Sequence, residues 1–164
     1  MSELREMFRT IFRRHVAGVT VVTFTVDGEL AGFTATSVIS VAAAPPSIAF
    51  AVSRASGAGM AVAGTSEVII NFLDDASDEV ATRFAMRGGD RFLPGSYDLT
   101  DDGVPYLPGA SAWLRASIVA RHDVADSVLI VGEVTEIKVT EGELAPLVYL
   151  DRQYRRLAPI TTGE

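Results

Sequence analysis

The chain contains no cysteine. Disulfides, thiolate nucleophiles and cysteine metal sites are therefore excluded together, and the composition suits a reducing cytosol. Histidine is nearly as scarce, with only His15 and His122, so a histidine-built metal centre is not expected. Lysine occurs once, at Lys138, and the net charge is −7. An acidic chain lacks the basic surface that a phosphate backbone demands, so no nucleic-acid partner is expected. The apolar runs are too short to span a bilayer; Ala42 to Val52 is interrupted by Pro45, Pro46 and Ser47. No apolar signal core opens the sequence, and no phosphate-binding loop, Gly-x-Gly-x-x-Gly or His-Glu-x-x-His pattern occurs in it. The expectation is a cytoplasmic protein without metal.

What is present is apolar. Of the 164 residues, 48% are hydrophobic, and a chain of this length buries roughly 70% of its unfolded surface in one core. A single domain over residues 1–164 is expected. Leu4, Met7, Phe8, Ile11, Phe12 and His15 recur at helical spacing, with Ser2 placed to cap the start and Gly18 to close the end. The β-branched run "VTVVTFTV" ends at Asp27-Gly28, a favoured hairpin turn. Its return strand runs from Ala31 to Val41, breaks at Pro45-Pro46 and resumes as "SIAFAV". "EVIINFL" reads as a strand, and "DDASDEVATRFAM" as a helix with Val80, Ala81, Phe84 and Ala85 on one face. Residues 87–109 form a long Gly- and Pro-rich segment. Two long strands, separated by "HDVAD", and the short strand "PLVYL" complete a tally of six or seven strands and two helices. Without βαβ alternation, the fold class is mainly β with flanking helices, and the strand spacing suggests a closed antiparallel barrel.

One stretch is chemically odd. "GFTATSVISVAAAPPSIAFAVSRAS" sets hydroxyls at Thr34, Thr36, Ser37, Ser40, Ser47, Ser53 and Ser56 inside an apolar region, with Arg54 its single charge. Two readings stand: an edge strand with small residues facing solvent, or a wall for a flat ligand with a polar edge. In "TATS" a ring system could approach the backbone closely, and "SRAS" offers a guanidinium and two hydroxyls suited to a phosphate. Asp74 and Asp75 precede a helix and read as caps.

The order of motifs resembles the flavin reductase family, NAD(P)H-dependent reductases of the flavin-binding split β-barrel fold. "FRRHVAGVTVVT", "GFTATSVISVAAAPPSIAFAV", "VIINFL", "TRFAM…DRF", "GVPYLPGASAWLRASI", "LIVGEV" and "PLVYLDRQYRRL" follow the family's blocks in sequence over about 150 residues. The resemblance implies that Thr34, Ala35, Thr36, Ser37 and Val38 cradle FAD or FMN, and that Ser53, Arg54 and Ser56 bind its phosphate. It implies NADH or NADPH as reductant, hydride transfer to the flavin without a catalytic side chain, a homodimer, and a flavin-dependent monooxygenase as partner. The sequence departs from the pattern in three places. Ala17 replaces a threonine and Ile70 a valine, while Ala125, Asp126 and Ser127 stand where the family has Gly-Asp-His near the flavin and nicotinamide. The aspartate is kept and the imidazole is not; His122 is the remaining candidate to replace it. The alternative is a flavin-binding carrier or oxidase-like barrel that uses no nicotinamide.

Overall fold

The computed structural model describes residues 2–143 and 145–160. In chain order the elements begin with α1 (Glu3–Arg13), β1 (Ala17–Gly18), β2 (Thr20–Val26), β3 (Glu29–Ala35), β4 (Ile39–Ala43) and β5 (Pro46–Ser53). A short α2 (Gly57–Val62), β6 (Glu67–Phe72) and α3 (Asp78–Ala85) follow. Then come β7 (Asp98–Leu99), β8 (Pro105–Tyr106), β9 (Ala112–Val124), β10 (Ser127–Val139), β11 (Val148–Leu150) and β12 (Gln153–Arg155). Seven strands form one antiparallel sheet in the order β3-β2-β6-β9-β10-β5-β4. Its two outermost strands, β3 and β4, are consecutive in sequence and joined only by residues 36–38, so the sheet curls on itself without closing a ladder. This is the split barrel that the resemblance implied.

The core fills the curl. Val22, Phe24, Phe50, Val68, Ile70 and Ile130 are fully enclosed, contributed by four strands, β2, β5, β6 and β10. A second cluster, including Val21, Leu73, Phe84 and Leu147, packs α3 against the outer face of β2. Gly32 makes that packing possible: a Cβ there would lie 2.8 Å from the Val22 carbonyl oxygen and 3.0 Å from the Phe84 ring. The Asp27-Gly28 turn forms as expected, with φ of 51° and 79°.

Several expectations are corrected. Gly18 does not close α1, which ends at Arg13 and is capped by Arg14; Gly18 pairs with Val148 instead. Ser2 stands at the N-cap position but makes no side-chain cap bond. The return strand is two strands, interrupted at residues 36–38, and β9 runs on through Val124 to turn at Ala125–Asp126. α2 and β12 were not anticipated. No residue of α1 is buried, although its apolar face is as regular as its spacing predicts.

The long segment 87–109 is held from two sides. From within, Asn71 (fully buried) donates to the Val21 carbonyl at 2.9 Å and to Thr23 Oγ1 at 3.0 Å, and accepts from the Leu107 amide at 2.8 Å. From without, Arg115 donates through Nε to Glu67 at 2.6 Å and through its two terminal nitrogens to Asp102. Those bonds, with one from Thr100, hold the Asp102 carboxyl well below the usual carboxylate range. A depressed value makes the contribution present in full above the unfolded pKa, near 3.9. It is lost as pH falls through the folded value. We expect thermal melts of Asp102→Asn at pH 7, 5 and 3 to lose less stability on acidification than the parent protein. Arg115→Met should lower the midpoint at pH 7 further than Asp102→Asn does, because it removes the partner of Glu67 as well as that of Asp102. An unchanged acid limb in Asp102→Asn would remove this ion pair from the acid response.

Candidate functional site

A cleft of about 340 Å³ opens on the outer face of the sheet where β3 gives way to residues 36–38. One wall is Thr34, Ala35, Thr36 and Ser37; the opposite wall is β5 with Ala51 and Ser53, continued by Ser56 and Gly59; Phe84 and Ala85 of α3 close one side. The hydroxyls are not equivalent. Thr34 donates to the Ala81 carbonyl at 2.6 Å, which ties β3 to α3. Ser37 donates to the Ala51 carbonyl at 3.1 Å and accepts from the Ala51 amide at 3.0 Å, so one side chain prolongs the β4–β5 pairing beyond Ile39 and Ala49 and fastens the linker to β5. Ser53 and Ser56 accept from the amides of Ala55 and Gly59, forming the corner that starts α2. The exposed Thr36 hydroxyl has no partner among the described residues and is left to a ligand.

Of the ten residues singled out in the sequence, six line this cleft: Thr34, Ala35, Thr36, Ser37, Ser53 and Ser56. Val38 turns the other way, packs on the main core and lines a separate apolar pocket with Val19, Phe72 and Leu147. Arg54 does not reach the cleft. Ser53 faces the cleft, while the Arg54 guanidinium bonds the Asp123 carboxylate at the mouth of the barrel, beside Arg121 and Val128. The Arg54 amide donates to the Asp126 carbonyl at 2.9 Å, which fastens the β9–β10 turn to β5. Asp126 itself is exposed at that turn and accepts from the Ser127 hydroxyl at 3.1 Å.

Ser127 lies outside the cleft lining but on its face. It pairs with Ser53 on one side and Val124 on the other, and His122 pairs with Leu129, the next position on that same face. The imidazole therefore extends the cleft-bearing surface beyond Ser127, exposed to solvent. Sequence reasoning missed Ala51, Gly59, Phe84 and Ala85. The signal for Gly59 was its crowding: an added Cβ would sit 2.8 Å from the Ser53 carbonyl oxygen and 3.1 Å from Val52 Cβ, so only glycine lets α2 seat against β5.

The small walls, hydroxyls and exposed strand backbone fit a flat heteroaromatic ring with polar edges, and the comparisons point the same way. Residues 12–158 match the family described as flavin reductase like domain. The NADH:FMN oxidoreductase of Rhodococcus erythropolis is 34% identical over 157 residues, which cover 93% of this chain and 82% of that protein. Among solved structures, a flavin reductase domain protein from Arthrobacter sp. FB24 superposes with a TM-score of 0.91 at 34% identity, over 98% of this chain and 99% of the other. The flavin reductase component of a bacterial two-component tryptophan halogenase gives 0.85 at 26% identity, over 94% and 99%.

Proposed function

The chain belongs to the flavin reductase like domain family, and from that premise we propose that it is an NAD(P)H-dependent flavin reductase that supplies reduced FAD or FMN to a partner monooxygenase. The observation that carries this reading is the hydroxyl-lined cleft at the split, where a flat ring can lie against strand backbone. A bound flavin and nicotinamide supply the hydride chemistry themselves, so the protein's task is to hold two rings in register and exclude water between them. Thr34 and Ser37, fixed by their own hydrogen bonds, set the shape of one wall, and the free Thr36 hydroxyl bonds the ring's polar edge. Ser53 and Ser56 hold the corner that faces the flavin's phosphate. Arg54 acts through Asp123, bracing that corner without touching the ligand. Asp126 and Ser127 border the nicotinamide side, where Ser127 offers a hydroxyl in place of the family's imidazole.

We read residues 1–164 as one cytoplasmic domain; residues 161–164 lie outside the described residues. No described helix is long and apolar enough to cross a membrane. The functional unit is a homodimer. Leu4, Met7 and Ile11 are 77%, 58% and 64% exposed, and Ile39 and Val41 of β4 are 57% and 54% exposed. Contiguous apolar surface of this kind calls for a partner. Sedimentation at micromolar concentration should give twice the chain mass, and a monomer that still binds flavin would overturn this assignment.

The test of activity is NADH oxidation at 340 nm with added FAD or FMN, followed against pH for the parent protein, Ser127→His and His122→Ala. Turnover is expected without a break at pH 6–7 due to position 127, whereas Ser127→His is expected to introduce one. Tight flavin binding without NADH oxidation at any pH would establish the alternative, a flavin carrier.

A further inference from the structure

The cleft wall carries no charge. The side chains that line it are hydroxylic, aliphatic or aromatic, with Gly59 between them. At the corner that faces the flavin's phosphate, the backbone donors are already engaged. The amides of Ala55 and Ser56 bond to Ser53, that of Gly59 to the Ser56 hydroxyl, and that of Arg54 to the Asp126 carbonyl. The protons of the Ser53 and Ser56 hydroxyls remain, and both are neutral donors. A phosphate monoester carries about −1.5 to −2 charge at pH 7, and a neutral donor holds it about half as strongly as a guanidinium does.

Arg83 and Arg121 are committed elsewhere. The Arg83 guanidinium lies 5.9 Å from the centre of the Phe84 ring and donates to the Arg91 carbonyl at 3.1 Å. Arg121 donates to the Thr65 carbonyl. Arg54 is the cation placed to matter, adjacent to Ser53 and close to Ser56. The cleft and the pocket at the barrel mouth share Val52, Ser53 and Gly59, so they lie on two sides of one corner. The Arg54 guanidinium is on the mouth side, bonded to the Asp123 carboxylate. The ladder fixes that carboxylate in place: Asp123 pairs with Val128, whose side chain is buried in the core.

We propose that Asp123 is a specificity-determining residue: by holding the Arg54 guanidinium at the barrel mouth it keeps the cleft uncharged, and the reductase takes riboflavin on nearly equal terms with FMN. The proposal rests on the flavin cleft of the reductase reading above. Riboflavin and FMN share the ring that meets the Thr36 wall and differ in the phosphate alone. With the guanidinium withheld, the phosphate adds to FMN binding only what two hydroxyls supply. The Arg54 and Asp123 side chains are 40% and 81% exposed. Removing the carboxylate therefore leaves no buried charge behind, and it frees the guanidinium to turn to the corner.

The quantity to measure is the ratio of riboflavin to FMN, as KM in NADH oxidation and as Kd from flavin fluorescence. Damage to the fold weakens both ligands together and leaves that ratio alone. In the parent protein the two flavins should lie within about threefold of each other, the scale of a weak neutral hydrogen bond. Arg54→Gln should change both constants in parallel and keep the ratio within about twofold of the parent's, since the guanidinium contributes nothing to the phosphate. Asp123→Ala should strengthen FMN about tenfold and leave riboflavin unchanged, the gain expected of one charge-assisted bond. Asp123→Ala combined with Arg54→Gln should restore the parent ratio. A parent preference for FMN of about tenfold or more, or an Asp123→Ala ratio equal to the parent's, overturns the proposal and leaves the reductase reading intact. A parent protein that binds flavin but oxidises no NADH overturns the reductase reading, and the Kd ratios still decide the role of Asp123. Failure to bind either flavin overturns both.

Discussion

Asn71→Leu should remove roughly 2–5 kcal/mol of stability, a large share of the 5–15 kcal/mol available to a domain of this kind. The side chain is fully enclosed and satisfies three groups on two segments: the Val21 carbonyl and the Thr23 hydroxyl of β2, and the Leu107 amide. Leucine fits the volume but leaves the Leu107 amide without its partner and removes one bond each from the Val21 carbonyl and from Thr23, whose hydroxyl still donates to Pro105; a group left unpaired where water cannot reach costs about 1–3 kcal/mol. Asn71→Asp should be worse at neutral pH, because a carboxylate would face the Val21 carbonyl with no proton to offer. The single tryptophan is well placed to report the effect, since Trp113 pairs directly with Asn71 across β6 and β9. Urea titrations followed by its fluorescence would show it as a lower midpoint at unchanged slope. A loss below 1 kcal/mol for Asn71→Leu would mean that the segment around Leu107 is anchored elsewhere.

The second large effect is on ligand affinity. Ser37→Ala should weaken flavin binding about 10- to 30-fold while lowering stability by only about 1–2 kcal/mol, since both lost hydrogen bonds are partly exposed. Those two bonds, to the carbonyl and amide of Ala51, are what hold one cleft wall against the other. Ser37→Thr keeps the hydroxyl and should recover most of the affinity. Fluorescence quenching of FMN gives the comparison. If alanine binds flavin as tightly as serine, the wall is set by packing, and the hydroxyl has no positioning role.

Much of this architecture was legible from period and composition, and the gaps have physical causes. The helix over Leu4 to Phe12 follows from its spacing, but spacing cannot say what covers the apolar face, and within one chain nothing does. α2 was hidden because "GAGMAV" carries two glycines, which local propensity assigns to loop; its packing on Ser53 and Val52 outweighs that cost. β9 continues through His122 and Asp123 because there it is the edge strand of a three-stranded stretch, paired only with β10, and an edge tolerates polar residues. Closeness in sequence groups Ser53, Arg54 and Ser56, but β5 ends at Ser53 and in the turn that follows the Arg54 side chain goes to Asp123. Phe84 was assigned to a helix face correctly, yet its ring serves both the cluster beneath α3 and the cleft.

The seam of the sheet has a mechanical consequence. Elsewhere around the curl, neighbouring strands are coupled by ladders of many hydrogen bonds, and widening any one of those gaps would break several at once. Between β3 and β4 the coupling is only the covalent chain of residues 36–38, which Ser37 ties to Ala51 of β5. The cylinder is thus stiff around nearly all its circumference and compliant along one line, like a ring with a single cut. Thermal breathing concentrates at that cut, so the cleft can widen to admit and release a ring while the enclosed core keeps its packing.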